Sequence, residues 1–237
     1  MGFFSRYSAR YLKRHFHTVR LLQASILPNE QKGPLIIFLN HASWWDPLVC
    51  LLLKKEFLPG RPAYAPMGAS ALEKYRFLKR LGFFPVEAKT TRGAAVFLLT
   101  ATAILEQPAS VLFLTPQGSF ADVRNPLAFQ PGLEHLTRRL PRVTCIPLAL
   151  EYSFWEERKP EILLAFGAPI AAGTNALLLD HLAATQAMLA DAVQRRVPQE
   201  WRLLSKSRSG VNRSYDLWRG LRARLRGEPF YGDHGRL

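Results

Sequence analysis

Across residues 34–196 short, β-rich apolar runs alternate with longer helix-patterned stretches, and this rhythm limits the fold more than any other feature of the chain. Residues 34–40 (PLIIFLN) form an apolar run that closes on a polar residue, the pattern of a strand buried on both faces. Further strands are expected at 61–66, 83–86, 110–114, 143–150 and 161–166. Helices are expected at 45–54, 69–80, 91–105, 132–140 and 174–196. Strands separated by helices predict an α/β fold: a single layered domain with a mixed, largely parallel sheet flanked by helices, here assigned to 28–197.

Both ends differ from this centre. In residues 1–27, Arg6, Arg10, Lys13, Arg14 and Arg20 interleave with aromatic and aliphatic side chains, which predicts a helix of mixed facing. Two roles fit it, a membrane-surface anchor and a helix packed on the domain. Residues 198–237 form a basic, aromatic-studded tail. The two ends account for much of the excess of 32 Lys and Arg over 18 Asp and Glu, a formal charge of +14. Such a chain is drawn to polyanions: nucleic acid, an anionic membrane or phosphate-bearing substrates. An apolar content of 48% excludes a disordered chain. No stretch reaches the roughly 18 to 20 apolar residues that span a bilayer, and no signal-peptide pattern opens the chain. A cytoplasmic protein is expected, peripheral on the inner face of the membrane. Cys50 and Cys145 lie in apolar stretches and read as buried, reduced thiols. No Cys/His cluster has zinc spacing, and no metal site is expected.

The sharpest motif is Asn40-His41-Ala42-Ser43-Trp44-Trp45-Asp46, directly after the first strand. A buried strand delivers the polar residues that follow it to the sheet edge, where α/β folds bind ligands. If the chain turns there into a helix, Asp46 can accept a hydrogen bond from one ring nitrogen of His41. The other nitrogen is then left as a base. A second motif, Thr115-Pro116-Gln117-Gly118-Ser119, follows another strand. Pro-x-Gly forces a turn whose N–H groups can hold an oxyanion or a phosphate. Taken alone, each motif reads more readily as ordinary structure than as a site.

Together they resemble the glycerolipid (PlsC-like) acyltransferase family, with Asn-His-x4-Asp after one strand and Pro-x-Gly after another. Leu81-Gly82-Phe83-Phe84-Pro85-Val86 is similar to the family's Gly-apolar stretch. Residues 143–150 (VTCIPLAL) are similar to its downstream Pro-containing strand, and Phe129-Gln130-Pro131-Gly132 to its Phe-Lys-x-Gly. The resemblance covers roughly residues 30–170 and implies a function. His41 is the general base that deprotonates an acceptor hydroxyl, oriented by Asp46. The acyl group comes directly from acyl-CoA or acyl-carrier protein, with no cofactor and no acyl-enzyme. Asn40, Pro116, Gln117, Gly118 and Ser119, with Lys89 and Arg92, are the expected substrate contacts, and a lipid acceptor and an anionic membrane surface are the expected partners.

Two departures bear on the acceptor. Gln117 stands where the family usually has Glu, and Glu87 where it usually has Arg. In the family these positions are linked to holding the acceptor, often its phosphate. The departures count against lysophosphatidate and leave a capped lysophospholipid, a glycosylated lipid or an isoprenoid-type alcohol open. Two other function classes remain: a basic nucleic-acid-binding protein and a non-catalytic lipid-binding relative. The chain carries no nucleic-acid-binding motif, so nucleic acid is not an expected partner. It also lacks the Gly-x-Ser-x-Gly, P-loop and dinucleotide fingerprints.

Overall fold

The computed structural model describes residues 2–87, 90–173, 177–207, 218, 221–222 and 224–226. Within them the elements run α1 (Gly2–His15), β1 (Thr18–Leu22), β2 (Leu35–Leu39), α2 (Asp46–Phe57), β3 (Ala63–Gly68), α3 (Ala69–Lys74), β4 (Phe83–Val86), α4 (Thr91–Leu105), β5 (Val111–Leu114), α5 (Gly132–Arg139), β6 (Thr144–Ser153), β7 (Glu161–Phe166), β8 (Ile170–Ala171), α6 (Leu178–Arg195) and β9 (Trp201–Lys206). The nine strands form one sheet in the order β4-β3-β5-β2-β6-β7-β1-β9, with the short β8 on β6. From β4 to β6 every neighbour is parallel. The β6–β7 and β1–β9 pairs are antiparallel, and β1 lies parallel to β7. The α/β fold with a mixed, mostly parallel sheet is the one expected.

The sheet is a middle layer because its central strands have no solvent face. All five side chains of β2 are at most 1% exposed. Leu35, Ile37 and Leu39 pack with α1 and α2, through Leu12, Val49 and Leu53. Ile36 and Phe38 point the other way, against Phe97 and Ala101 of α4, Leu133 and Leu136 of α5 and Leu182 of α6. Burying each such side chain stabilises the fold by about 1.5–3 kcal/mol. This explains why β2 reads as a continuous apolar run rather than an alternating one.

Three expectations need correction. The helix predicted across 1–27 stops at His15, and Thr18–Leu22 is a strand inside the sheet. Arg20 hides it, because a charge amid an apolar run disguises a buried strand. The helix predicted at 69–80 breaks after Lys74 into a 3-10 turn, Arg76–Leu81. The chain must return to β4 through Gly82, whose φ is +95°. A Cβ there would lie 2.1 Å from the Ala63 carbonyl oxygen. The tail begins with a strand, Trp201–Lys206, paired to β1. The rest of the expected basic tail lies mostly outside the described residues. The sheet therefore draws on segments on both sides of 28–197. Helix α1 packs one face, Ser8 and Leu12, on the domain and leaves Arg6, Arg10, Lys13 and Arg14 exposed.

Candidate active site

Strand β2 ends at Leu39, and after six intervening residues α2 starts at Asp46, with Pro47 in its first turn. A carboxylate in a helix's first turn faces the positive end of its dipole. The intervening turn folds His41 back onto it. The Nδ1 atom of His41 lies 2.7 Å from Oδ2 of Asp46. Asp46 is buried, with its side chain 2% exposed, and the His41 side chain is 20% exposed. The same Oδ2 accepts the Ser43 main-chain N–H at 3.2 Å. Oδ1 accepts the Tyr152 hydroxyl at 2.7 Å. An ionised carboxylate only accepts, so this arrangement places the proton on Nδ1 and leaves Nε2 as the acceptor.

The Pro-x-Gly turn meets the histidine from the neighbouring strand. Oε1 of Gln117 accepts the main-chain N–H of His41 at 2.7 Å. The main-chain N–H of Ala121 donates to the His41 carbonyl at 2.9 Å. Gly118, at φ +70°, closes the turn by donating its N–H to the Thr115 carbonyl. That N–H is therefore already engaged within the turn. Pro116 is buried, and its carbonyl accepts the Gln130 N–H. Ser119 is exposed, and so is Phe120, whose ring centroid is 4.2 Å from that of His41.

The other expected contacts fall out differently. Asn40 is buried, and its amide exchanges two 2.9 Å hydrogen bonds with the Leu150 main chain of β6. Those bonds make it a bracket that fixes the end of β2 rather than a group facing a substrate. Arg92 is exposed in the first turn of α4, near exposed Glu87. Lys89 lies outside the described residues. Tyr152, Phe120 and the bond from Gln117 to the His41 main chain were not foreseen. Tyr152 lies 106 residues from Asp46 and Gln117 lies 76 from His41, so no local pattern could pair them.

Burial first, and then the charge of Asp46, push the Tyr152 phenol and the Cys50 thiol well above their ordinary ranges. Burial pushes the Cys145 thiol up to about 12. Neither cysteine can serve as a thiolate nucleophile at neutral pH. Among the described residues no group of three His, Cys, Asp or Glu is placed to hold a metal ion, and no helix is long and apolar enough to cross a membrane.

The arrangement can take a proton from a hydroxyl at Nε2 of His41 and hold the resulting charge against a buried carboxylate. A family model described as Acyltransferase matches residues 14–151, more than half of the chain. No curated protein matches. Among solved structures the chain is similar to the 1-acyl-sn-glycerophosphate (LPA) acyltransferase PlsC from Thermotoga maritima, with a TM-score of 0.53 and 14% identity over 82% of this chain and 78% of that one. At that identity the likeness is one of fold.

Proposed function

Because the chain belongs to the acyltransferase family, we propose that it moves a fatty-acyl group from a thioester, acyl-CoA or acyl-carrier protein, onto the hydroxyl of a glycerolipid-type acceptor, with His41 as general base. The observation that carries the proposal is the 2.7 Å contact between His41 Nδ1 and the buried Asp46 carboxylate at the C-terminal end of β2. In the reaction, Nε2 of His41 takes the proton of the acceptor hydroxyl. The freed oxygen attacks the thioester carbonyl carbon, the C–S bond breaks, and the proton passes from the imidazolium to the departing thiolate. A hydroxyl is a weak nucleophile, and a positioned base contributes roughly 10²–10⁴ in rate. The thioester is already activated, so no acyl-enzyme is needed.

The acceptor reading follows from two side chains. Gln117 is engaged with the His41 main chain, and Glu87 stands exposed at the end of β4. An acceptor with a capped headgroup fits these groups better than a phosphate monoester. Exposed cations on α1 support work at an anionic membrane surface, on its inner face. The test is incubation of the purified protein with radiolabelled acyl-CoA, or labelled acyl-carrier protein, and a total lipid extract. A labelled ester lipid is expected, absent from a His41→Ala control. No labelled lipid from either donor overturns the reading.

A further inference from the structure

Asp46 is held at both oxygens, and the second hold comes from a strand that the sequence motifs do not connect to it. Oδ2 takes His41 and the Ser43 N–H, while Oδ1 takes only the Tyr152 hydroxyl among the described residues. We propose that Tyr152 is a positioning residue of the acyl transfer: its hydroxyl fixes the Asp46 carboxylate and, through it, the His41 imidazole. The proposal rests on the reading of His41 as base.

The physical need is plain. Rotation of a carboxylate about its last bond is soft, with no sharp staggered wells. A contact at Oδ2 alone leaves the group free to tilt, and the imidazole tilts with it. Two anchors on the two oxygens fix the plane. The fold in turn fixes the anchor. Tyr152 lies two residues beyond Leu150, on the same face of β6, and Leu150 is clamped to the end of β2 by the Asn40 amide. On the other side, Tyr152 pairs in register with Ile162 of β7. Its ring packs 5.6 Å from Phe16, and Phe16 meets Trp45, the residue before Asp46, edge-on at 4.9 Å.

The titratable groups around the carboxylate are few. His41 faces it from the turn, Tyr152 from β6 and Cys50 from the next turn of α2. His15 of α1 stands beyond Trp45, 5.1 Å from its ring. The phenol and the thiol both stay protonated, so the hydroxyl remains a donor to Asp46.

Tyr152→Phe keeps the ring and removes the bond. A hydrogen bond to a charged group is lost, the carboxylate gains basicity, and the His41–Asp46 pair holds a proton more tightly. The expected result is a fall in kcat of about tenfold, equivalent to about 1.4 kcal/mol in the barrier. KM for both substrates should be little changed, and the acid limb of kcat/KM should move to higher pH. Replacing Tyr152 by 3-fluorotyrosine, a stronger donor of the same shape, should move that limb the other way. A Tyr152→Phe enzyme with parental kcat and an unmoved limb overturns the proposal. So does one that is less thermostable yet keeps the parental pH profile, because that assigns Tyr152 to packing alone. A His41→Ala control separates the two readings. If His41→Ala stays active, the base itself is wrong. If it is dead while Tyr152→Phe behaves as parent, only the role of Tyr152 fails.

Discussion

Two buried carboxylates each hold a basic side chain, and they sit in opposite settings. Glu161 of β7 binds Arg20 of β1 at 2.5 Å, with both side chains at most 3% exposed. Asp46 binds His41 at 2.7 Å, with its partner 20% exposed. The first pair is sealed. Thr18 bonds both members, and the Trp155 ring lies 4.7 Å from the guanidinium carbon. Its cation never gives up a proton, and nothing outside can reach it. The second pair opens on one side, where the His41 ring is partly exposed. A buried ion pair is weak evidence of stability in itself, because desolvation offsets much of the attraction. What distinguishes these two is access. The sealed pair ties the β1 strand, and with it the β9 edge, to β7. The open pair leaves the His41 ring within reach from outside.

The largest effect should come from the open pair, and it should fall on rate alone. His41→Ala is expected to lower acyl transfer by roughly 10²–10⁴. Stability should change by only about 1 kcal/mol, because Asp46 keeps the Tyr152 and Ser43 donors. Rate measured beside thermal melting checks both halves. Near-parental turnover, or a collapse of the fold, breaks the contrast.

The sealed pair should show the mirror image. Glu161→Gln leaves a charged Arg20 in a dry place, at a cost of about 3–5 kcal/mol. Activity per folded molecule should hold. The double change Arg20→Met with Glu161→Leu should regain most of the loss, since apolar groups of similar volume often replace a buried pair without cost. Denaturant unfolding of the single and double variants measures it. If the double variant is as unstable as the single, then the pair is specifically required and the sealed-pair account is wrong.

The same contrast explains what could be read from the chain beforehand. β2 and β5 are apolar throughout because they are buried on both faces, and they were legible for that reason. His41 and Asp46 were legible because they lie five residues apart, between a strand end and a helix start. β1 was not, because Arg20 marks it as surface until its partner, 141 residues away, is known. β9 was masked likewise: an edge strand carries Arg202 and Lys206 on its exposed side, as edge strands often do. Tyr152 and Gln117 act on the site from other strands, and only the sheet order β5-β2-β6 brings them to it.

Gln117 offers a smaller effect on the open pair. Its Oε1 holds the His41 main chain, so Gln117→Ala removes one part-buried hydrogen bond, about 0.5–1.5 kcal/mol or up to about tenfold in rate. Gln117→Glu keeps an acceptor and should stay within about threefold of the parent. Steady-state kinetics of the two variants decides between a support role and a substrate role. If Gln117→Glu is as poor as Gln117→Ala, or switches the preferred acceptor, then the side chain serves the substrate rather than His41.

The smallest expected effect concerns Glu87 at the end of β4, with β3 and β5 between that strand and β2. If the acceptor lies across the strand ends as far as β4, a phosphate monoester on it would meet like charge at exposed Glu87. Water and salt screen that repulsion at an exposed site, so the penalty is small. Arg92, in the first turn of α4, offsets some of it. The expected outcome is therefore a preference of a few-fold, not an exclusion, for an acceptor with a capped headgroup over lysophosphatidate. The preference should shrink as salt rises and should weaken in Glu87→Gln. The measurement is a competition at equal concentrations with one labelled donor. If lysophosphatidate wins by tenfold or more, about 1.4 kcal/mol, the charge around the site selects for phosphate. The openness of the His41 pair would then be paired with a cation that Glu87 does not cancel.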